Sequence, residues 1–505
     1  MKPASKLLSV IFVLNLLAAC GGGGGTSSTS SPVKPPVVTS PVEPPISSDW
    51  QALQNICEFP RIGLQADGSP YPDRQGTLTD ELKWLRSFIN DTYLWYKEVP
   101  TNLSMADYHD PLDYFEVLKT PLLTPSGRAK DRFHFTYPSA VWDAMSNQGI
   151  ELTYGVTWAR ATDANGLRMW TAAMVEPGSP AALTGMRRGD LLVTVDGVSI
   201  TDNTVAGVAL LNAGLFPAGA GETHQLVLNR AGTLQTVILK SLQLALAPVQ
   251  NAKIIDTVTG KVGYLLFNEH NAVAEAQLVN AITSFKTAGV SDLVLDMRYN
   301  GGGLLSIAGE LAYMIAGPEA TQGKVFDRLQ YNDKMPQSSP QLFPATAMGN
   351  VPAALKPGTV LPYLGLKRVT VLTTPDTCSA SESVVNGLRG VDIEVNLIGG
   401  ETCGKPYAFV PESNCGTTYF AIQIQGTNNK GFGDYTDGFQ PTCRVADDLG
   451  HALGDPAESL LATALSYRAS GVCPAVALRN RALPALLTNT ELVRPKVKGI
   501  AILNR

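Results

Sequence analysis

The sequence predicts a multidomain protein in which an α/β domain follows a small β-rich domain and a helical N-terminal region. A chain of 505 residues is too long for one ordinary hydrophobic core. Short strands alternate with turns before residue 250, whereas strands and amphipathic helices alternate after it, as in a buried sheet between helices. The predicted divisions are a leader (1–19), a tether (20–48), a helical region (49–147), a β-rich domain (148–246), an α/β domain (250–470) and an irregular tail (471–505).

The first twenty residues have the features of an export signal. Lys2 and Lys6 precede an apolar run over residues 7–19, which is too short to span a bilayer comfortably. The run ends in the sequence LAAC, which resembles the lipobox of bacterial lipoproteins and implies that Cys20 carries lipid. A simple secretory signal or a short anchor helix is the alternative. We therefore expect a lipid-anchored protein of the cell envelope, on the outer membrane, its periplasmic face or the cell surface.

The composition also limits the partners. Residues 20–48 are mostly Gly, Ser, Thr, Pro and Val, and such a segment acts as a tether because it cannot bury a core. The formal net charge is −5, and loss of the two leader lysines makes the body more acidic. A protein that binds phosphate backbones needs a basic face, so we expect no nucleic-acid partner.

Export changes the interpretation of the cysteines. An even number of cysteines in an oxidising compartment predicts disulfide bonds, and without a CxxC pair we expect no metal and no cofactor. Most of them lie after residue 377, so bridges would mainly brace the last domain, but the sequence does not choose among the pairings. The six that follow Cys20 are Cys57, Cys378, Cys403, Cys415, Cys443 and Cys473.

The β-rich domain carries three glycine-containing turns, VEPGSPA, GMRRGD and VTVDG, between residues 175 and 197. This succession resembles a bacterial, circularly permuted PDZ domain. The resemblance implies that Tyr154, Gly155 and Val156 form a loop whose amides capture the terminal carboxylate of a peptide added at the sheet edge. A plain β-domain that only spaces its neighbours is the alternative, as is a groove that regulates activity without gripping substrate.

The most informative run is TCSASE, residues 377–382, which follows an apolar strand and begins a helix. Free amides at a helix start can stabilise a developing oxyanion, so Ser379 is a candidate nucleophile, with Ser381 as its rival. The same run also matches a capping box, in which Ser379 and Glu382 merely satisfy the helix amides.

Two other runs favour a catalytic role for Ser379 over a capping box. Residues 296–303, DMRYNGGG, end in three glycines whose backbone amides can approach a ligand closely, although a tight turn between strand and helix also explains them. Residues 399–405, GGETCGK, place Lys405 after an apolar strand, where a buried lysine is costly unless it is paired or neutral.

In this order around a PDZ-like domain, the three runs resemble the C-terminal processing peptidases, also called tail-specific proteases, over about residues 150–465. The resemblance implies a crotonase/ClpP-like core and a serine endopeptidase that cleaves exported or unfolded proteins near their C-termini. It assigns the nucleophile to Ser379 and the general base to Lys405. A lysine can take the proton of a serine hydroxyl only when its amine is neutral. We therefore expect this amine within hydrogen-bond reach of the hydroxyl.

The same resemblance implies an oxyanion hole formed by the amide of Ala380 and that of Gly302 or Gly303, with Glu382 in support. There are departures from the family pattern. The processing branch often has glutamine four positions after the lysine, where this chain has Phe409, and the lysine stands one residue further from the serine. The chain is therefore similar to divergent relatives with a GKP turn, and its third catalytic residue is left open.

Two other functions fit parts of the sequence. The lysine turn nearly matches a P-loop, but Pro406 stands where a P-loop needs Ser or Thr for magnesium, so we expect no nucleotide. The stronger alternative is a non-catalytic surface lipoprotein that binds peptides through the PDZ groove and an inactive peptidase fold. The presence of both Ser379 and Lys405 favours the enzyme. None of the five histidines stands in a recognisable catalytic motif.

Overall fold

The computed structural model describes residues 49–65, 68–163, 165–474, 488–493 and 500–502. The predicted leader and tether, with the proposed lipid site Cys20, lie outside these residues. Within the described ranges, no helix has both the length and the apolar character needed to cross a membrane.

The N-terminal region packs on a later part of the chain. Its longest helix begins at a capping box in which Thr77 accepts from the amide of Asp80 and the Asp80 carboxylate accepts from the amide of Thr77. The buried face of that helix joins a hydrophobic cluster with Tyr419 and Phe420. The elements are α1 (Trp50–Leu53), β1 (Ile56–Cys57), β2 (Arg74–Gln75), α2 (Leu78–Thr92), two 3₁₀ turns (Tyr96–Glu98 and Met105–Asp107), α3 (Pro111–Val117), β3 (Phe135–Pro138) and α4 (Ser139–Gln148).

The β-rich domain is built on an antiparallel sheet. Its strands are β4 (Ile150–Thr153), β5 (Val156–Thr162), β6 (Arg168–Val175), β7 (Leu191–Val195), β8 (Val198–Ser199), β9 (Thr223–Arg230), β10 (Thr233–Lys240) and β11 (Leu242–Ala245), and its helices are α5 (Pro180–Leu183) and α6 (Val205–Leu215). The order β10-β9-β7-β6-β5 leaves β5 next to the edge strand contributed by the tail, and β11 pairs with β4. β9 and β10 form a hairpin across a two-residue turn at Ala231 and Gly232.

The α/β domain contains the central sheet, whose order is β12-β13-β14-β18-β19-β24. All of its neighbouring pairs are parallel except β12 with β13. The strands are β12 (Val249–Thr257), β13 (Gly260–Phe267), β14 (Asp292–Asp296), β15 (Gly302–Leu304), β16 (Val325–Gln330), β17 (Gln341–Leu342), β18 (Arg368–Thr373), β19 (Glu394–Gly399), β20 (Tyr407–Ala408), β21 (Glu412–Asn414), β22 (Thr417–Phe420), β23 (Ile424–Thr427) and β24 (Cys443–Arg444). The helices are α7 (Ala274–Thr287), α8 (Leu305–Ala316), α9 (Pro318–Thr321), α10 (Ala380–Gly390) and α11 (Ser459–Ser470).

Helices cover both faces of the central sheet. Successive residues of a strand point to opposite faces, so Leu265 and Phe267 pack with α7, α8 and α10, whereas Tyr264 and Leu266 pack with α11. Burial of both faces explains why these strands are continuous apolar runs in the sequence. The carboxyl ends of the parallel strands meet at one edge, where the candidate residues lie.

The prediction that residues 471–505 are irregular is wrong for two described segments, β25 (Thr488–Val493) and β26 (Ile500–Ile502). β25 pairs with β5 of the β-rich domain, and β26 pairs with β15 of the α/β domain. Neither segment carries a local strand signal strong enough to predict. Their extended conformation comes from partner strands that lie far away in the sequence.

Among the described residues, three disulfide bonds and a buried ion-pair network brace the fold. The bridges are Cys57–Cys415, Cys378–Cys403 and Cys443–Cys473, which settles the pairings that the sequence left open. Arg188 of the β-rich domain bonds Asp447 at 2.7 Å, and Arg298 of the α/β domain bonds the same carboxylate oxygen at 2.7 Å. Arg298 is completely buried and also pairs with Glu458. Buried charges need such partners, so the network couples the two domains.

Candidate active site

Ser379 occupies the turn between β18 and α10, as the N-cap residue of that helix. Its backbone has φ = +60°, a conformation that is sterically unfavourable for a residue with a Cβ. The side chain is completely buried, and among the described residues its Oγ has no hydrogen-bond partner. The turn therefore presents a hydroxyl at the positive end of a helix without using it for structure.

The rival serine is engaged differently. Ser381 Oγ donates to the backbone carbonyl of Asn300 at 3.1 Å, so this hydroxyl supports the neighbouring glycine-rich turn. An unused hydroxyl at 379 and a bonded one at 381 favour Ser379 as the nucleophile candidate.

The carboxylate of Glu382 accepts hydrogen bonds from both the turn that carries Ser379 and the turn that carries Lys405. One oxygen, Oε2, accepts from the amide of Ser379 at 2.9 Å and from the amide of Lys405 at 2.8 Å. The other, Oε1, accepts from the amide of Gly404 at 2.8 Å and from the hydroxyl of Thr402 at 2.6 Å. Burial raises the pKa of Glu382, and these four donors oppose that shift because they favour the charged form. Glu382 thus holds the nucleophile turn and the lysine turn side by side.

A covalent link reinforces this contact. The Cys378–Cys403 bridge joins the residue before Ser379 to the lysine turn. In the described part of the chain, Cys378, Glu382 and Cys403 are also the group whose atoms lie close enough to share a metal ion. Both sulfur atoms are used in the disulfide, so the arrangement fits a clamp and does not fit a metal site.

Lys405 is one of the largest completely buried side chains of the protein. Its Nζ lies 3.5 Å from the ring centroid of Phe409 and 5.2 Å from that of Phe133. This burial lowers the pKa of Lys405 well below its ordinary value, although the carboxylates of Asp131 and Glu382 raise it in part. This environment favours the neutral form of the amine.

The hydrogen bond expected between Lys405 and Ser379 is not formed in this structure, because Ser379 Oγ has no partner among the described residues. The amine lies instead over the ring of Phe409, the residue that replaces the glutamine of the processing branch. An aromatic face attracts an amine but cannot orient it with a directional hydrogen bond, as an amide oxygen would. Contacts between catalytic groups often tighten only when substrate is bound.

The N-terminal region contributes to the site, which the sequence did not reveal. Arg132 donates to the carbonyls of Cys403 and Gly404 at 2.7 and 3.2 Å, and so braces the lysine turn from outside the α/β domain. Its neighbours Asp131 and Phe133 supply the carboxylate and the ring that act on the amine. No local pattern marks these residues, because their role depends on packing against a turn more than 270 residues later.

The glycine-rich turn after β14 distinguishes between the two proposed oxyanion glycines. The amide of Gly302 donates to Asn300 Oδ1 at 3.0 Å and is therefore already used. Gly303 has φ = +137°, and a Cβ there would lie 2.3 Å from the carbonyl oxygen of His270, so only glycine fits. Together with the first amide of α10, that of Ala380, the Gly303 amide is the better placed candidate donor.

His270 and Asn300 support this turn and were not singled out from the sequence. His270 Nδ1 lies 3.0 Å from Asn300 Oδ1, and burial lowers the pKa of His270 to about 3. The imidazole is therefore neutral, and Nδ1 carries the proton because the amide oxygen can only accept. The only available signal was position, since His270 follows β13 at the edge where parallel strands end.

The predicted peptide-carboxylate loop lies between β4 and β5, in the β-rich domain. The Tyr154 side chain is buried, and Val156 begins β5 opposite Val175. The Gly155 amide donates to Thr153 Oγ1 at 2.9 Å, so this donor is engaged within its own loop. Carboxylate binding by these three residues stays a prediction.

Comparison with known proteins identifies the class and then the family. Sequence profiles of a PDZ domain and of an S41 peptidase N-terminal domain match residues 172–211 and 80–137, and that of peptidase family S41 matches residues 261–442. The chain therefore has a PDZ domain beside a peptidase domain. Over residues 80–137 and 261–442 it matches peptidase family S41, which confirms the resemblance inferred from the three motifs.

Relatives and one solved structure agree with this assignment. A carboxyl-terminal-processing protease of Picosynechococcus is 31% identical over 27% of this chain and 32% of its own length. A chloroplastic C-terminal processing peptidase of Tetradesmus obliquus is 26% identical over 45% of this chain and 48% of its own length. The chain thus spans half or less of the length of these curated relatives. An S41 protease structure from Bacteroides fragilis is 26% identical, with a TM-score of 0.60, and covers 80% of this chain and 98% of its own. The predicted fold, an α/β domain with a PDZ domain and an N-terminal region, is confirmed.

Replacement of Glu382 by glutamine tests the shared carboxylate. The substitution exchanges one carboxylate oxygen for an amide nitrogen that cannot accept hydrogen bonds, so one pair of donors loses its acceptor while the side-chain volume stays the same. We expect kcat for peptide hydrolysis to fall by about 10- to 100-fold, the value of one or two charge-assisted hydrogen bonds. Unchanged kcat in a folded Glu382→Gln variant would show that the carboxylate does not position the site.

A pair of double variants distinguishes a role of the Cys378–Cys403 bridge in positioning the site from a general effect on stability. We expect Cys378→Ala/Cys403→Ala to lower kcat by at least about tenfold, since the two turns lose their covalent link. The matched control is Cys443→Ala/Cys473→Ala, because the two bridges span similar sequence separations of 25 and 30 residues and remove similar chain entropy. Equal losses of kcat and equal shifts of Tm in both double variants would contradict a role for the clamp in catalysis.

Proposed function

We propose that this chain is a serine endopeptidase that hydrolyses exported or unfolded proteins near their C-termini. The observation that carries the proposal is that one buried carboxylate binds the backbone of Ser379 and of Lys405. An unused hydroxyl at a helix start then stands beside a turn whose amine is buried, with a lowered pKa. The names of the curated relatives, which are carboxyl-terminal processing enzymes, support the substrate class.

The proposed reaction begins when the neutral amine of Lys405 takes the proton of Ser379 as Oγ attacks a substrate carbonyl carbon. The amides of Ala380 and Gly303 stabilise the oxyanion. The protonated amine then gives its proton to the leaving nitrogen, and water hydrolyses the acyl-enzyme with the same amine as base. Because the lysine side chain is long and flexible, its amine can move from the face of Phe409 to the hydroxyl when substrate excludes water.

The PDZ domain supplies a further binding surface in this proposal. The loop Tyr154-Gly155-Val156 holds the terminal carboxylate of a substrate, while the peptide adds as a strand to the edge of β5. Such docking places the C-terminal part of a protein close to the peptidase domain.

Hydrolysis of an unfolded reporter protein tests the activity. We expect Ser379→Ala and Lys405→Met each to lower kcat/KM by about 10³-fold or more, since each removes a group that acts in the reaction. Lys405→Met also removes the cost of burying an amine and is expected to raise Tm, which shows that the loss of activity is not unfolding. Binding of the reporter by wild type without any cleavage would instead favour the non-catalytic lipoprotein.

The pH dependence follows from the lowered pKa of Lys405. Only the neutral amine can accept a proton, so kcat/KM should be at its maximum above this pKa and decrease as the pH falls through it. Between this value and the ordinary lysine pKa the unfolded chain binds more protons, so the free energy of unfolding decreases as the pH falls through that range and stays reduced below it. A rate that is constant down to about pH 5 would argue against lysine as the base.

We also propose that lipid on Cys20 holds the enzyme in the cell envelope, with residues 21–48 as a tether. The support is the leader and the LAAC sequence before the polar linker. Cys20→Ala is expected to move the protein from the membrane fraction to the soluble fraction of fractionated cells. Equal membrane association of the variant and wild type would exclude this anchor.

A further inference from the structure

The C-terminal segment occupies the edge of the β-rich sheet. β25 pairs antiparallel with β5, so that Glu491 faces Arg160, Leu492 faces Ala159 and Val493 faces Trp158. Without this segment, the outer edge of β5 would present unpaired amides and carbonyls. This is the edge at which the PDZ-like domain is expected to receive an extended peptide.

Side chains reinforce the pairing. Glu491 accepts two hydrogen bonds from the guanidinium of Arg160, at 2.6 and 3.1 Å, and about half of each side chain is exposed. Leu492 is buried in a small hydrophobic cluster with Ala159 and with Tyr299, which belongs to the motif that leads to the glycine-rich turn. The segment therefore contacts both the PDZ domain and the peptidase domain.

The last described residues reach the candidate active site. β26 pairs in parallel with β15, so that Ala501 faces Gly303, and both α10 and β20 lie against it. At its other edge β15 is bonded to His270, whose amide donates to the carbonyl of Gly302. Consecutive strand residues direct their amides to opposite edges, so the Gly303 amide is turned towards β26.

The register identifies the carbonyl at that position. Hydrogen bonds in a parallel pair are slanted, so an amide opposite Ala501 is directed at the carbonyl of the preceding residue, Ile500. The Gly303 amide is one of the two proposed oxyanion donors. A backbone carbonyl of the tail therefore takes the place that a substrate carbonyl would need.

We propose that the two described tail strands, Thr488–Val493 and Ile500–Ile502, act as an inhibitor within the chain, which occupies the PDZ edge and β15 together and excludes other peptides. This inference rests on the proposed peptidase activity and adds its regulation. Two short contacts are individually weak, but a covalent connection makes the second contact intramolecular and raises its effective concentration. A substrate that binds one edge well can therefore displace the segment and open the site.

A charge reversal tests the proposal in the full-length protein. We expect Glu491→Arg to raise hydrolysis of the unfolded reporter by about two- to fivefold, because an exposed ion pair becomes a repulsion of similar size. The double variant Arg160→Glu/Glu491→Arg restores the attraction and should return the rate to the wild-type value. The matched control is Glu319→Arg, which disrupts an exposed pair with Lys367 elsewhere and should leave the rate unchanged.

Hydrogen exchange of the β5 amides, measured in a Ser379→Ala background, reports docking without any need for activity. Faster exchange in Glu491→Arg together with a faster reporter rate supports the proposal. Unchanged exchange, or faster exchange without a change in rate, overturns it. If wild type cleaves no more reporter than Ser379→Ala and Glu491→Arg is equally inactive, the peptidase function itself fails, and the inhibitory role fails with it.

Discussion

The hydrogen bonds accepted by Glu382 are the contact on which the rest of the candidate site depends. Its two oxygens hold the backbone of the serine turn and of the lysine turn, which come from different strands of the central sheet. A buried carboxylate is stable only with several donors, and here the donors are the amides that must be positioned. The Cys378–Cys403 bridge and the brace from Arg132 then act on turns that this carboxylate already aligns.

Burial of the Lys405 amine is unfavourable for folding, but it also lowers the pKa of this amine. Removal of an amine from water is unfavourable, and the chain reduces this cost with aromatic faces and with two nearby carboxylates. The same burial lowers the pKa of Lys405 and so favours the neutral form that a general base needs. The strained backbone of Ser379 also combines a cost with a use. Its left-handed conformation is unfavourable, but it places the hydroxyl beside the start of α10.

The domains are coupled by contacts close to this site. Arg188 of the PDZ domain shares Asp447 with Arg298, which lies in the run that leads to the oxyanion glycines. The tail segment contacts the same neighbourhood through Leu492 and Tyr299. The β5 edge and the glycine-rich turn are therefore linked by direct packing, which gives the proposed regulation by the tail a physical basis.

The order of the three motifs was enough to predict the family resemblance and the PDZ domain, and it singled out Ser379, Lys405 and either Gly302 or Gly303 as candidates, because each motif depends on a local requirement for a turn, a helix start or a missing Cβ. The position of the lysine amine over Phe409, the contributions of Asp131 and Arg132, and the pairing of the tail with β5 and β15 could not be predicted. Each depends on segments that are distant in the chain and meet only on folding. Local patterns record what a residue needs from its neighbours in sequence, whereas packing decides which remote groups surround it.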